Sequence, residues 1–197
     1  MVLVYFLISF LSGSIMFSYL IGKIFLHVDI RNFEDGRNPG ARSLYAAGGN
    51  FLGTIGLILD FTKGFLPVFF AKYIFEFNQN ELILISIAPI LGHSFSPFLK
   101  FKGGKALANT FGIWSGLTLW EAPIVIGFFY TVMILSFKKL SHSIITICGF
   151  LILFIYLLAT SRHETYLFYI WLFNFIVMFY KLNIIKEFFS KKRTKII

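Results

Sequence analysis

Gly92-His-Ser-Phe-Ser-Pro-Phe-Leu-Lys-Phe-Lys-Gly-Gly-Lys105 breaks an otherwise apolar chain with one His, three Lys and a pair of glycines. Successive glycines let the backbone bend with its N–H groups converging, and Lys105 then falls at the start of the next helix. Backbone donors, a helix N-terminus and a fixed positive charge together form a phosphate cradle, with Gly103, Gly104 and Lys105 as its binding residues. The Gly-x-x-x-x-Gly-Lys-Ser/Thr spacing of a Walker loop is absent. A plainer reading of the same residues is a turn at the membrane edge whose Lys meets lipid head groups.

Outward from this stretch the chain is 57% hydrophobic and 20% aromatic. Only 14% of its residues are charged, against roughly 25% in a soluble domain. It is therefore read as an integral membrane protein, with one membrane domain over 1–184 and a basic cytoplasmic tail over 185–197. The apolar run from Met1 to about Leu26 is too long for a signal peptide, lacks a basic leader, and is kept as a helix of the mature protein. Cys148 is the only cysteine. It excludes an intramolecular disulfide, argues against a Cys-based metal site, and reads as a small buried hydrophobe. The net charge of +9 lies in short loops and at the C-terminal end, which suits membrane orientation and anionic lipids or substrates, not nucleic acid.

Seven apolar spans fit, at about 3–25, 51–75, 80–98, 105–120, 122–137, 143–160 and 165–182, each near the ~20 residues that cross a bilayer. Arg31, Arg37 and Arg42, then Lys100, Lys102 and Lys105, then Lys138 and Lys139, fall in alternate loops. The C-terminal end adds Lys181, Lys186, Lys191, Lys192, Arg193 and Lys195, whereas the intervening loops carry only Lys72 and Arg162. Positive-inside bias then predicts an all-α, polytopic fold with seven transmembrane helices, the N-terminus outside and the C-terminus cytoplasmic. The weakest division lies between the fourth and fifth spans, where only Trp120, Glu121 and Pro123 mark a turn.

Polar residues stand out against this background. In the loop Asp29 to Tyr45, Asn38-Pro39-Gly40-Ala41 forms a turn, and Arg42 and Ser43 open a short helix or the second span, a second anion-shaped feature on the face of Gly103-Gly104-Lys105. Asp60 and Lys63 share one face of the second span at i, i+3. Two readings stand: Lys63 reaches an anionic ligand while Asp60 supports it, or the two satisfy each other and lock the bundle. His93 is a candidate general base for a substrate hydroxyl, or a tie between the motif loop and a neighbouring carbonyl. His27, His142 and His163 show no metal-like spacing with it, and neither a Gly-x-Ser-x-Gly elbow nor a His-Glu-x-x-His helix occurs.

Taken in order, Asn38-x-Gly40-Ala41, Asp60-Phe-Thr-Lys63-Gly64 and Gly92 to Lys105 resemble the bacterial acyl-phosphate-dependent glycerol-3-phosphate acyltransferases, the PlsY family. The likeness runs from about Gly13 to Gly112, with a weaker echo near the C-terminus. It implies an inner-membrane enzyme with its active site facing the cytoplasm, passing a fatty acyl group from acyl-phosphate to the 1-hydroxyl of glycerol 3-phosphate in phospholipid synthesis. Lys105 and His93 are then the catalytic candidates; Asn38, Gly40, Arg42, Ser43, Lys63, Gly103, Gly104 and Asn183 bind substrate, and Asp60 supports the pocket. The two phosphorylated substrates and membrane lipids are the expected partners, with no cofactor, no metal, no nucleic acid and no obligate protein partner.

The family pattern Ser-Gly-Asn-x-Gly-Ala-Thr-Asn reads Gly36-Arg37-Asn38-Pro39-Gly40-Ala41-Arg42-Ser43 here, so two hydroxyls are missing. The family's later Arg falls near Ala46, its Gly-Gly-Lys-Gly reads Gly103-Gly104-Lys105-Ala106, and its His-x-x-Asn-Ile becomes Tyr180-Lys-Leu-Asn183-Ile184. These departures motivate a second reading: a catalytically silent or re-purposed relative that binds anionic lipid or carries a small organic anion.

Overall fold

The computed structural model describes residues 1–33, 38–137, 140–160 and 164–182, and every regular element among them is helical. The helices are α1 (Val2–Ser14), α2 (Phe17–Phe25), α3 (Ala41–Tyr73), α4 (Gln79–Ser94), α5 (Leu107–Thr118), α6 (Glu121–Ser136), α7 (His142–Thr160) and α8 (Thr165–Leu182). Single 3-10 turns occupy Ile30–Asn32 and Pro97–Leu99. Lys138, Lys139, Arg162 and the tail over 185–197 lie outside the described residues, as do Arg37, His163 and Asn183.

α3, α4 with its following turn, α7 and α8 are each long and apolar enough to cross a membrane. The pair α1–α2, bent by 42°, makes a fifth span if taken as one. The expected spans at 105–120 and 122–137 correspond to α5 and α6, whose 12 and 16 residues rise only about 18 and 24 Å against a core of about 30 Å. Helix length thus supports four or five spans. The second span follows a kink at Gly49, whose φ of 72° suits a residue without Cβ, and the helical stretch before it, from Ala41, folds back with Leu44 against Gly56 and Tyr45 against Gly53.

Glycine brings the helices into backbone contact. A Cβ on Gly112 would sit 2.1 Å from the Phe61 carbonyl oxygen, and one on Gly64 would sit 2.3 Å from Asn109 Oδ1, so α3 and α5 lie flush. Gly92 meets the Phe10 carbonyl at 2.2 Å and Gly13 the Pro89 carbonyl at 2.4 Å in the same way, pressing α1 onto α4. Where lipid removes the hydrophobic drive between helices, such small-residue seams are how spans associate. Buried polar links reinforce them: Trp114 Nε1 donates to Asn174 Oδ1 at 3.2 Å, and Asn174 Nδ2 donates to Thr110 Oγ1 at 3.1 Å, joining α5 to α8.

The break between α1 and α2 falls beside Asp60 and Lys63. Lys63 Nζ donates to the Ile15 carbonyl, which the end of α1 leaves unpaired within the helix, and forms an ion pair with Asp60 at 2.9 Å. Ser18 Oγ, in the first turn of α2, donates to Asp60 Oδ2 at 2.5 Å. The cation thus meets the negative end of α1 and the anion the positive end of α2. Of the two readings of this pair, the structure displays the mutually satisfied one, with both side chains 1% exposed. Removing one partner strands a buried charge, at about 3–5 kcal/mol, whereas apolar residues at both positions avoid that penalty. Lys63→Met is expected to lower the melting temperature in detergent far more than Asp60→Leu/Lys63→Met. Equal losses for the single and double variants would contradict the pairing.

Candidate functional site

Three elements close around one cavity of about 350 Å³. Asn38, Gly40, Ala41, Arg42 and Tyr45 come from the start of α3, with Leu57 further along it. His93 comes from the end of α4, and Lys105 to Ala108 from the loop and first residues of α5.

The α3 end is built by its own sequence. Gly40 is the N-cap in extended conformation, its carbonyl accepts from the Ser43 N–H at 3.1 Å, and the Ser43 hydroxyl donates to the Asn38 carbonyl at 2.5 Å. Ser43 is buried and absent from the cavity wall; it fixes the Asn38 turn. Upstream, Arg31 grips the Asp29 carboxylate by donating from Nε to Oδ1 at 2.9 Å and from Nη2 to Oδ2 at 2.5 Å. That hydrogen bonding holds the Asp29 pKa down to about 2. α5 opens after Ala106, which takes a left-handed φ of 58° and offers no side-chain cap. Both helices therefore present first-turn N–H groups and the positive end of a dipole to the same space, with Arg42 and Lys105 as its flanking cations. The arrangement fits a phosphate-bearing ligand.

The glycine pair packs against the end of α4. The Gly104 N–H donates to the His93 carbonyl at 3.0 Å, so it is committed to the protein. A Cβ on Gly103 would lie 2.0 Å from that carbonyl oxygen, and one on Gly104 would lie 2.6 Å from His93 Nε2 and 3.0 Å from Asn38 Oδ1. The glycines let the loop lie against His93 and Asn38. His93 is 3% exposed. Its Nδ1 and Asn38 Oδ1 are, among the described residues, buried polar atoms without a hydrogen-bond partner, each a cost of about 1–3 kcal/mol that a ligand group or water would relieve.

Of the residues singled out in the sequence, Asn38, Gly40, Arg42, His93 and Lys105 line this cavity; Ser43, Asp60, Lys63, Gly103 and Gly104 do not. Asn183 lies outside the described residues. The sequence reading missed the start of α5 at Ala106, Leu107 and Ala108, which carries no side-chain signature, and Tyr45. Lys181, counted there only among the charges of the C-terminal end, also approaches this loop: from the end of α8 its Nζ lies 3.5 Å from the Gly103 carbonyl oxygen and 4.6 Å from the Phe95 ring centre. No group of three or more His, Cys, Asp or Glu among the described residues is placed to hold a metal.

A second, larger cavity of about 770 Å³ runs between α3 and α5 and reaches Tyr130 of α6. Ile58, Phe61, Phe65, Leu66 and Phe111 make it apolar, and it shares Leu57, Leu107 and Ala108 with the first. A charged head space thus abuts a greasy groove.

The glycerol-3-phosphate acyltransferase family matches residues 3–189. The chain belongs to this family. It is similar to glycerol-3-phosphate acyltransferase 1 of Thermotoga maritima, 48% identical over 60% of this chain and 59% of that one. It is also similar to the glycerol-3-phosphate acyltransferase of Pelagibacter ubique, 35% identical over 95% of this chain and 93% of that one. Among solved structures it resembles the crystal structure of PlsY (YgiH), an integral membrane glycerol 3-phosphate acyltransferase, in its glycerol 3-phosphate form. There the TM-score is 0.85 and the identity 26%, over 98% of this chain and 92% of the other. Membership favours acyl transfer over the silent-relative or carrier reading.

Because an added methyl at Gly104 meets two cavity side chains at once, Gly104→Ala is expected to displace His93 and Asn38. Misplacement on that scale lowers kcat/KM about ten-fold or more with little change in melting temperature. Unimpaired acyl transfer by this variant would show that the close fit is unimportant.

Proposed function

We propose that the protein transfers a fatty acyl group from acyl-phosphate to the 1-hydroxyl of glycerol 3-phosphate, giving lysophosphatidic acid and inorganic phosphate. Glycerol 3-phosphate as acceptor follows the family; acyl-phosphate as donor is supported by the sequence resemblance and by the geometry of the site. The observation that carries the reading is the junction of the two cavities: helix N-termini, Arg42 and Lys105 surround the head space, and its wall continues into an apolar groove sized for a chain.

In this reading the start of α3, with Asn38 and Arg42, holds the acceptor phosphate. Lys105 and the first turn of α5 hold the donor phosphate, and the acyl chain runs between α3 and α5 along Phe61, Phe65 and Phe111. The acceptor oxygen attacks the acyl carbon. The new C–O bond forms as the bond to the phosphate oxygen breaks, and that electron pair leaves with phosphate. The hydroxyl proton passes to the departing phosphate, with buried His93 positioning the groups. Lys105 and the α5 N–H groups stabilise the charge that builds on the acyl oxygen and the leaving group, and holding both substrates in one cavity removes the entropy of their encounter. Lys63 and Asp60 contribute by fixing α1 and α2 on α3.

We place the protein in the bacterial inner membrane with the site facing the cytoplasm, the N-terminus outside and seven spans, α5 and α6 being the short ones. The supporting pattern is the alternation of Lys- and Arg-rich with Lys- and Arg-poor loops. The decisive experiment gives the purified protein palmitoyl-phosphate and glycerol 3-phosphate and follows phosphate and lysophosphatidic acid together. Stoichiometric formation of both is expected, with at least about a hundred-fold loss in Lys105→Ala, as for removal of a transition-state donor. Near-normal turnover in Lys105→Ala would remove Lys105 from the mechanism, and no product from the unmodified protein would remove the reaction.

A further inference from the structure

The Gly103–Gly104 peptide is gripped at both ends. Its N–H, on Gly104, donates to the His93 carbonyl at 3.0 Å. Its carbonyl, on Gly103, faces Lys181 Nζ at 3.5 Å. The ammonium also lies 4.6 Å above the Phe95 ring, and Phe95 sits 6.1 Å from the ring of Tyr180 on the same turn of α8. One peptide plane is thereby tied to α4 on one side and α8 on the other, and the next residue along the chain is Lys105.

The grip matters because the backbone hydrogen bonds of the preceding turn, the last of them from the Lys102 N–H to the Leu99 carbonyl, stop short of this loop's glycines. Its glycines have no side chains to anchor, Ala106 supplies no cap, and the residues just before it, Lys100 and Phe101, take left-handed φ values of 52° and 60°. The loop's base is fixed, since Ser96 Oγ donates to the Ser14 carbonyl at 2.7 Å. Its distal end, where the cavity begins, depends on the His93 and Lys181 contacts. A half-buried ammonium held over an aromatic face and against a carbonyl dipole is attracted by both, and loss of the charge leaves the peptide tied on one side.

We infer that Lys181 is a positioning residue for acyl transfer: from the end of α8 it clamps the Gly103–Gly104 peptide and so fixes where Lys105 and the α5 N-terminus meet the donor phosphate. This rests on the reading of the site given above. Lys181 does not line the cavity, so it acts through the loop and not on the reacting atoms. The chemistry it serves is binding of a phosphate group, shared by the acyl-phosphate donor and the inorganic phosphate product.

The test measures kcat, KM for palmitoyl-phosphate and inhibition by inorganic phosphate for the unmodified protein, Lys181→Met and Lys181→Arg in the same detergent. Lys181→Met is expected to raise KM and the phosphate inhibition constant in parallel, about ten-fold, with a much smaller change in kcat. Lys181→Arg, keeping charge and reach, is expected to restore most of both. A Lys181→Cys variant on a Cys148→Ala background, treated with 2-bromoethylamine to rebuild a lysine-like side chain, supplies the same comparison should the Met variant not fold. Normal KM and phosphate inhibition in Lys181→Met would overturn the inference. So would a loss matched by a fall in melting temperature and rescued by neither Arg nor aminoethylation. If the unmodified protein itself turns over no substrate, the reading of the site fails first, and that outcome is distinct from either of these.

Discussion

The ion pair between Asp60 and Lys63 is the constraint on which the rest of the bundle depends. A helix that breaks within a membrane leaves carbonyls at one end and N–H groups at the other, and lipid satisfies neither. Here Lys63 meets the Ile15 carbonyl and Asp60 meets Ser18 at the start of α2. Lys63 and Asp60 sit one turn apart on α3, so the same two side chains that neutralise each other also complete the ends of two other helices. The break is then an attachment point: α1 can bend away to pack on α4 while α2 stays beside α3. That divergence leaves the end of α4, with His93, facing the start of α3.

The second level of organisation is the glycine seams. Gly64 and Gly112 bring α3 and α5 close enough for backbone contact, and both helices start toward the same end of the molecule. The start of α5 thereby falls beside Leu57 of α3, and the kink at Gly49 folds the first turns of α3 back, Leu44 against Gly56 and Tyr45 against Gly53, so that both N-termini reach the same space. Beside the seam, the side chains of Phe61, Phe65 and Phe111 line the apolar groove. The cavity flanked by Arg42 and Lys105 and the apolar groove thus meet at Leu57, Leu107 and Ala108.

Much of this was legible in the sequence because membrane physics is severe. An apolar chain with few charges had to be helical, and the polar residues that survived in it, Asn38, Arg42, Asp60, Lys63, His93 and Lys105, had to be satisfied or functional. What spacing could not decide was which of these face each other. Asp60 and Lys63 at i, i+3 allowed ligand binding and mutual pairing equally; the outcome turned on Ile15 and Ser18, more than forty residues away. Helix N-termini at Ala106 to Ala108 carry no side-chain mark. Lys181 looked like one more charge of a basic end, and only its approach to Gly103 across α4 and α8 separates it from the others. The turn at Trp120 was legible too, and α6 keeps the length of its apolar run, whereas α5 begins and ends two residues inside its own.

The departures from the family pattern acquire a physical meaning in this setting. The hydroxyls missing before Asn38 and after Ala41 would be neutral donors to an anion. In their place the first turn of α3 supplies backbone N–H groups, whose alignment does not depend on side-chain identity, together with the guanidinium of Arg42 at the cavity wall. A guanidinium offers paired donors to a phosphate and carries its charge at every working pH. On the proposed function, exchanging two hydroxyls for one such group keeps the anion site positively charged while changing the donors it offers the acceptor. On the same proposal, phosphate recognition rests on the helix N-termini, Arg42 and Lys105, and the glycerol end meets Asn38, Tyr45 and His93 in the same cavity.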